Sequence, residues 1–381
     1  MTGPVAPLAD LAARLVAIDS TNPDLVPGGA GEGEIARFVA GWLERAGLEV
    51  TVEDAAPGRP NVVGIARGRG GGRSLLLNAH TDVVGGGGMA DPFVPRIDGD
   101  RLYGRGAYDM KASLAAIMLA GAEAVRRGWA GDVIVAAVAD EEFASVGTQR
   151  LAATVRADTA VVAEPTDEAL CIAHKGFAWL EVETRGRAAH GSLPDEGIDA
   201  IAAMGPVLSG VAMLDRRLGE REPHPLLGRG SVHASLIAGG TELSTYPDRC
   251  LLSLERRTMP GESPAAVEAE IHAILEAAAL DDHRFEAALR TTLWRDPFEV
   301  AEDDPFVVLA RDAIACATGR KPEITGAFGW MDSALLSAAG IPTIVYGPLG
   351  AGAHADEEWV DVPSADRCLA GLLAIANAVC A

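Results

Sequence analysis

VIVAAVADEE, Val133 to Glu142, is a Val-rich apolar run that stops in three consecutive acids. Such a run reads as a strand buried on both faces, so Asp140, Glu141 and Glu142 arrive at its carboxyl end. Open α/β sheets place their chemistry there. Three other apolar runs finish in the same way: LLLNA (75–79) delivers His80, AVVA (160–163) delivers Glu164, and TIVYG (343–347) opens the Gly-rich loop carrying His354. If these strands are parallel neighbours, their polar tips converge. Crowded carboxylates repel, and each buried uncompensated charge costs several kcal/mol. Arg and Lys are scarce in the tips, so a metal is the expected counter-charge.

At 381 residues the chain is long for one core, which suggests two domains. Its 49% hydrophobic and 23% charged residues describe a soluble globular protein. A net charge of −22 argues against nucleic-acid and anionic-membrane partners. Five scattered cysteines, none in a C-x-x-C pair, support neither disulfides nor a thiolate zinc site. MTGPVAPLADLAARLVAIDS lacks a basic n-region before an apolar core, so no secretory signal is read, and no apolar run is long enough to span a bilayer. A cytoplasmic enzyme is expected.

Outward from the decisive strand, apolar spacing predicts helices over 8–20 and 32–46 and strands at 48–54, 61–67 and 74–80. Residues between His80 and Arg101 read as a long Gly-, Pro- and Asp-rich loop, of a length usually functional. Met110, Leu114, Ile117, Met118 and Gly121 mark a helix, with Asp109 at or just before its N-terminus. There the helix dipole favours a carboxylate, so a capping role competes with a ligand role. After Glu164 the texture changes: 177–186, 231–240, 250–257 and 284–292 read as half-polar antiparallel strands. Helices over 197–218 and 267–280 cover them, the second announced by Ser263 and Pro264. Further helices are expected over 304–318, over 331–339 and from Ala365. The expected fold is α/β: a mixed, mainly parallel sheet with helices on both faces over 1–175 and 293–381. An α+β domain with an antiparallel sheet and two helices is inserted at 176–292.

LNAHTD places Asp82 two residues after His80, where a strand's period turns both side chains the same way. Asp82 is therefore expected to hold the far ring nitrogen of His80 and fix its tautomer. Glu141 and Glu142 diverge as neighbours, so one can bind metal while the other faces substrate. Asp109, Glu142 and Glu164 carry three negative charges. With His80 and His354 they make too many ligands for one tetrahedral zinc with an open position, yet suit two divalent ions sharing a bridging carboxylate.

HTDVV (80–84), DGDRLYGRGAYDMK (98–111), ADEE (139–142), AEPT (163–166), KGFAWLEVETRGRAAHGSLPDEGIDAI (175–201), YPDRC (246–250), RRTMPGE (256–262) and GPLGAGAHADEEWV (347–360) follow one another along the chain. In that order they resemble the co-catalytic zinc amidohydrolases and exopeptidases, which include acetylornithine deacetylase, succinyl-diaminopimelate desuccinylase, aminoacylase and glutamate carboxypeptidase. The resemblance implies that Asp109 bridges two metal ions, with His80 and Glu164 on one and Glu142 and His354 on the other. It implies zinc first, with cobalt or manganese as alternatives. Glu141 becomes the general base, with Asp82 beside it in the catalytic set. His190 becomes an oxyanion donor acting in the partner subunit's site, and Arg257 a grip on the substrate carboxylate. The insert becomes a lid and the interface of a homodimer. Ser244 stands at a substrate-facing position where many members carry Asn, and Met331 where many carry Thr before Asp332. The loop GGGGMADPFVPRI is shorter than usual and has no Trp, and DMKAS replaces the common DMKGG.

The expected activity is hydrolysis of an amide bond beside a free carboxylate, deacylating an N-acyl amino acid as acetylornithine deacetylase does, with hydroxide from the metal pair and Glu141 as base. A dipeptidase or carboxypeptidase acting on a short peptide is the alternative within the family. A catalytically silent binding protein stabilised by its metals is the alternative outside it.

Overall fold

The protein is described by a computed structural model covering residues 7–381. The first six residues, part of the stretch read for a signal and of the 1–175 segment, lie outside the described residues. The chain divides into two compact units. The first comprises residues up to Ile172 with Val300–Thr325 and Met331–Ala381; the second comprises Ala173–Glu299 with Gly326–Trp330. Sequence texture places the insert at 176–292, whereas the second unit runs further at both ends and takes in a distant pentapeptide.

The first unit is built on a mixed sheet with the order Glu49–Ala56, Arg59–Ala66, Val133–Val138, Leu75–His80, Thr159–Val162, Thr343–Val345, Leu170–His174. The centre is parallel: Val133–Val138 and Thr159–Val162 flank Leu75–His80 in that sense, and Thr343–Val345 joins Thr159–Val162 the same way. Every residue of Leu75–His80 and Val133–Val138 is buried, as strands covered on both faces must be. Amphipathic helices give the cover. Gly33–Arg45 packs on Arg59–Ala66 through Ile35, Val39 and Leu43, and Pro7–Val16, Ala112–Arg127 and Val362–Cys380 pack together. The last of these starts at Val362 rather than Ala365, because Asp361 caps it through the Ser364 amide at 2.7 Å and Pro363 sits in its first turn.

The long loop after His80 contains structure that the sequence did not reveal. Arg96–Asp98 and Arg101–Tyr103 form a hairpin, and Trp359–Asp361 and Gly350–Ala351 extend it to four strands. Strands of two or three residues carry no readable period, and half of this sheet comes from a segment about 250 residues away.

The second unit is an antiparallel sheet in the order Ser231–Gly239, Arg249–Thr258, Gly176–Arg185, Glu286–Arg295. Along Gly176–Arg185 burial alternates, with Ala178, Leu180, Val182 and Thr184 inside. Helices Ala200–Glu220 and Pro264–Asp281 close that face with Val207, Leu214 and Ile271. Ser263 caps the second helix, its hydroxyl accepting from Ala266 N at 3.3 Å ahead of Pro264. Among the described residues no helix is long and apolar enough to cross a membrane, and no disulfide joins any of the five cysteines.

Candidate active site

Parallel neighbours bring their carboxyl ends together, and in the first unit they bring together titratable side chains. His80 ends its strand almost fully buried, with Nε2 3.1 Å from Asp109 Oδ1 and 3.7 Å from Glu164 Oε1. His354 Nε2 lies 2.9 Å from Glu142 Oε2 and 3.6 Å from Asp109 Oδ2. The two oxygens of Asp109 thus face different imidazoles. Ligand atoms of His80, Asp109 and Glu142 lie within 4.8 Å of one another, and so do those of His80, Glu141 and Glu164. The His80 end is closed to solvent, whereas the His354 side chain is 55% exposed.

Asp109 does not cap the helix that follows it. Its backbone is non-helical, at φ −116° and ψ 92°, in a turn before Ala112–Arg127, and its carboxylate goes to His80. Glu358 holds this turn, a role that nothing along the chain signals beyond its nearness to His354. Buried to 1% exposure, its carboxylate accepts from the amides of Gly106, Tyr108 and Asp109 at 2.9–3.0 Å and from Arg105 at 2.8 Å.

The expected pairing of the Asp82 carboxylate with His80 is corrected by the structure. The closer partner of His80 Nδ1 is the backbone carbonyl of Asp82, at 2.8 Å, with the nearest carboxylate oxygen at 3.6 Å. A carbonyl only accepts, so Nδ1 carries a proton; without metal Nε2 carries one as well and donates to Asp109, and shedding it frees a lone pair for an ion. The carboxylate is occupied elsewhere: Oδ1 accepts from Glu141 N at 3.1 Å and Oδ2 from Glu142 N at 3.2 Å.

Burial pushes Glu141 well above the ordinary carboxylate range, and the charges of Glu164, Asp332 and Glu142 add to it. Burial does the same to Glu164 and raises Glu142, with Asp109 repelling both. Asp332, which accepts from Thr148 Oγ1 at 2.6 Å, is lifted by burial to about 7. For Asp109 burial is outweighed by the hydrogen bond and charge of His80, so its carboxyl falls. His80 is pushed down by burial but raised well above its usual value by Glu164 and Asp109, and His354 is raised by its bond to Glu142. Negative charge is in excess, and imidazolium protons offset part of it. Two imidazole nitrogens and several carboxylates around this excess fit divalent cations. All five non-Gly residues at positive φ among those described, Asp140, Ser145, Asp167, Glu168 and His354, lie in the loops after three of these strands. Such strain gathers at functional sites.

His190, Ser244 and Arg257 belong to the second unit. Gly191 N donates to Ser244 O at 2.7 Å, and His190 pairs with Thr245 in a β-bridge, so His190 and Ser244 lie on neighbouring segments. Arg257 Nε is 2.7 Å from Glu255 Oε1, and its guanidinium lies over the Phe177 ring at 5.2 Å.

A family model described as peptidase family M20/M25/M40 matches residues 76–378. The chain is 30% identical over 380 residues to the acetylornithine deacetylase of Myxococcus xanthus, covering 94% of each. It is 30% identical over 385 residues to the succinyl-diaminopimelate desuccinylase of Methylobacterium sp. (strain 4-46), covering 96% of this chain and 94% of that one. Among solved structures its fold is similar to that of aminopeptidase PepT from Bacillus cereus, with a TM-score of 0.80, 21% identity and 98% of each chain covered.

Proposed function

Because the chain belongs to peptidase family M20/M25/M40, we propose that this hydrolase cleaves an amide bond beside a free carboxylate, removing the acyl group from an N-acyl amino acid. The observation that carries this reading is the meeting of His80, Asp109, Glu142, Glu164 and His354 around excess negative charge, with Glu141 beside them. Similarity to an acetylornithine deacetylase over nearly the whole chain supports the choice of bond.

Asp109 would bridge two divalent ions, His80 and Glu164 completing one set and Glu142 and His354 the other. Zinc is the first candidate for both. When bound, such ions polarise a carbonyl oxygen and lower the pKa of water. Glu141 takes the proton from the attacking water, whose oxygen bonds to the acyl carbon. As the C–N bond breaks, Glu141 returns that proton to the leaving nitrogen. A carboxyl raised by burial is matched to both tasks. His190 is suited to the oxyanion: Ser192 N donates to its Nδ1 at 3.2 Å, which leaves the proton on Nε2 of an exposed ring. Arg257 would grip the substrate carboxylate, with Ser244 beside His190 at the acyl group. The enzyme would work in the cytoplasm on small molecules, with neither nucleic acid nor membrane as partner.

A panel of N-acetyl amino acids and dipeptides, assayed with the metal-loaded enzyme, tests the reading. Turnover of the acetyl compounds with little on dipeptides is expected. The reverse preference makes the protein an exopeptidase, and no turnover of either makes it a silent binding protein.

A homodimer through the second unit goes with this reading. Strand Ser231–Gly239 is a sheet edge whose Leu236 and Ile237 are 71% and 54% exposed. An apolar edge of this kind pairs readily with its own copy across a two-fold axis. If His190 acts in the partner's site, mixing Glu141→Gln and His190→Ala chains restores part of the activity that each lacks alone. Exchanged dimers with no recovered activity would refute action across the interface.

A further inference from the structure

Behind the candidate ligands lies a second row of buried polar groups that the reaction described above does not use. Asn22 is fully buried, and its Nδ2 donates to two different carboxylates, Asp82 Oδ2 at 2.8 Å and Asp140 Oδ1 at 3.0 Å. An amide nitrogen has two hydrogens, so both are used. Asp140 Oδ1 also accepts from Arg59 at 2.8 Å, and Arg59 in turn grips Glu32 through Nε at 2.8 Å and a terminal nitrogen at 2.7 Å. Arg59 is 6% exposed, and Asp82, Asp140 and Glu32 are at 1% or less. Asp140 itself sits at φ +69°, a left-handed conformation that persists in a non-Gly residue when its surroundings hold it there.

These contacts form one continuous chain. Arg59 and Asn22 fix the Asp140 side chain at the start of the turn. Asn22 also fixes the Asp82 carboxylate, which accepts from the amides of Glu141 and Glu142. The Asp82 carbonyl sets the tautomer of His80. Every link is a hydrogen bond to a group whose orientation decides where Glu141, Glu142 or His80 points.

We infer that Asn22 and Arg59 are positioning residues for the hydrolysis, holding through Asp82 and Asp140 the turn that aims Glu141 and Glu142. The inference rests on the roles proposed above for those two glutamates. Packing alone would make Asn22 and Arg59 replaceable by residues of like volume. A positioning role requires Asn22 to donate to both carboxylates, and Arg59 to present a fork rather than a bare charge.

The test uses the full-length protein loaded with Co2+, whose visible absorption reports the ligand geometry directly and without substrate. Asn22→Asp keeps the volume but sets a third carboxylate against Asp82 and Asp140. Arg59→Lys keeps the charge and loses the fork, and it stands in for Arg59→Met if the latter does not fold. Loss of an outer-shell partner of a metal ligand typically costs about 10- to 100-fold in activity or metal affinity. We expect a loss of that order in kcat per metal-loaded chain for Asn22→Asp and Arg59→Met, with KM changed by no more than roughly threefold. Arg59→Lys should recover part of the loss, and each variant should shift the cobalt spectrum. An unchanged spectrum together with wild-type kcat per loaded chain would overturn the inference. If the parent protein hydrolyses nothing, the proposed function fails while the spectrum still decides whether Asn22 and Arg59 set the ligand geometry.

Discussion

Replacing Glu141 with Gln should lower kcat on an N-acetyl amino acid by about a hundred- to ten-thousand-fold, the usual contribution of a positioned acid–base group. The substitution is nearly isosteric, so the amides of residues 141 and 142 can keep their hydrogen bonds to Asp82. Only the capacity to accept a proton and return it is lost. Because Glu141 is not assigned to either ion, metal content should be unchanged. The test is kcat measured beside metal analysis of the same sample. Near-normal turnover would remove Glu141 from the role of base, whereas loss of metal along with activity would recast it as a ligand.

The second large effect concerns metal removal, and its sign follows from the shifted groups. Burial raises Glu141, Glu142 and Glu164 in the folded metal-free protein, and carboxylates raise His80 and His354. A group raised on folding contributes stability below its unfolded value and loses it as pH rises through the folded one. The losses therefore begin above the ordinary Glu value of 4.5 and, for the histidines, above 6.5. Asp332, lifted by burial to about 7, follows the same trend, whereas Asp109 and Lys111, the latter lowered by burial to about 7, oppose it, as two groups against six around the site. The metal-free protein should therefore become less stable from mildly acidic to mildly alkaline pH. With metal present the dependence reverses, since the ligands must shed protons before they can bind. A site held at 100 times its dissociation constant adds about 2.7 kcal/mol. Thermal unfolding with and without chelator should thus show a difference in Tm that widens as pH rises. A difference that narrows would mean that these side chains are not the ligands.

The centre of the fold was legible because each decisive strand is a short apolar run closed by a polar residue. Such runs become parallel neighbours only in a covered α/β sheet, and Val133–Val138 and Leu75–His80 are buried throughout. Alternation along Gly176–Arg185 announced the antiparallel sheet for the opposite reason, since one of its faces meets solvent. What stayed hidden depends on contacts between distant residues. Glu358 bonds to amides about 250 positions away, and Asn22 reaches Asp140 across 118 residues. Arg59 carries no motif at all, yet it is the cation behind the acidic turn, where reading the strand tips alone found none. The spacing of His80 and Asp82 pointed to the right residue but the wrong atom. Period two aligns the side chains, but the Glu141 and Glu142 amides take the carboxylate and leave His80 to the backbone carbonyl.

Everything proposed for this site requires His80, Asp109, Glu142, Glu164 and His354 to hold two ions through a shared carboxylate. Calorimetric titration of the metal-free protein with Zn2+ at neutral pH, on the parent chain and on Asp109→Ala, decides whether they do. Two ions per parent chain are expected, with a loss of tight binding at both positions when Asp109 is removed. A parent chain that binds one ion or none, or an Asp109→Ala chain that still binds two with parental affinity, would rule out a shared two-ion centre.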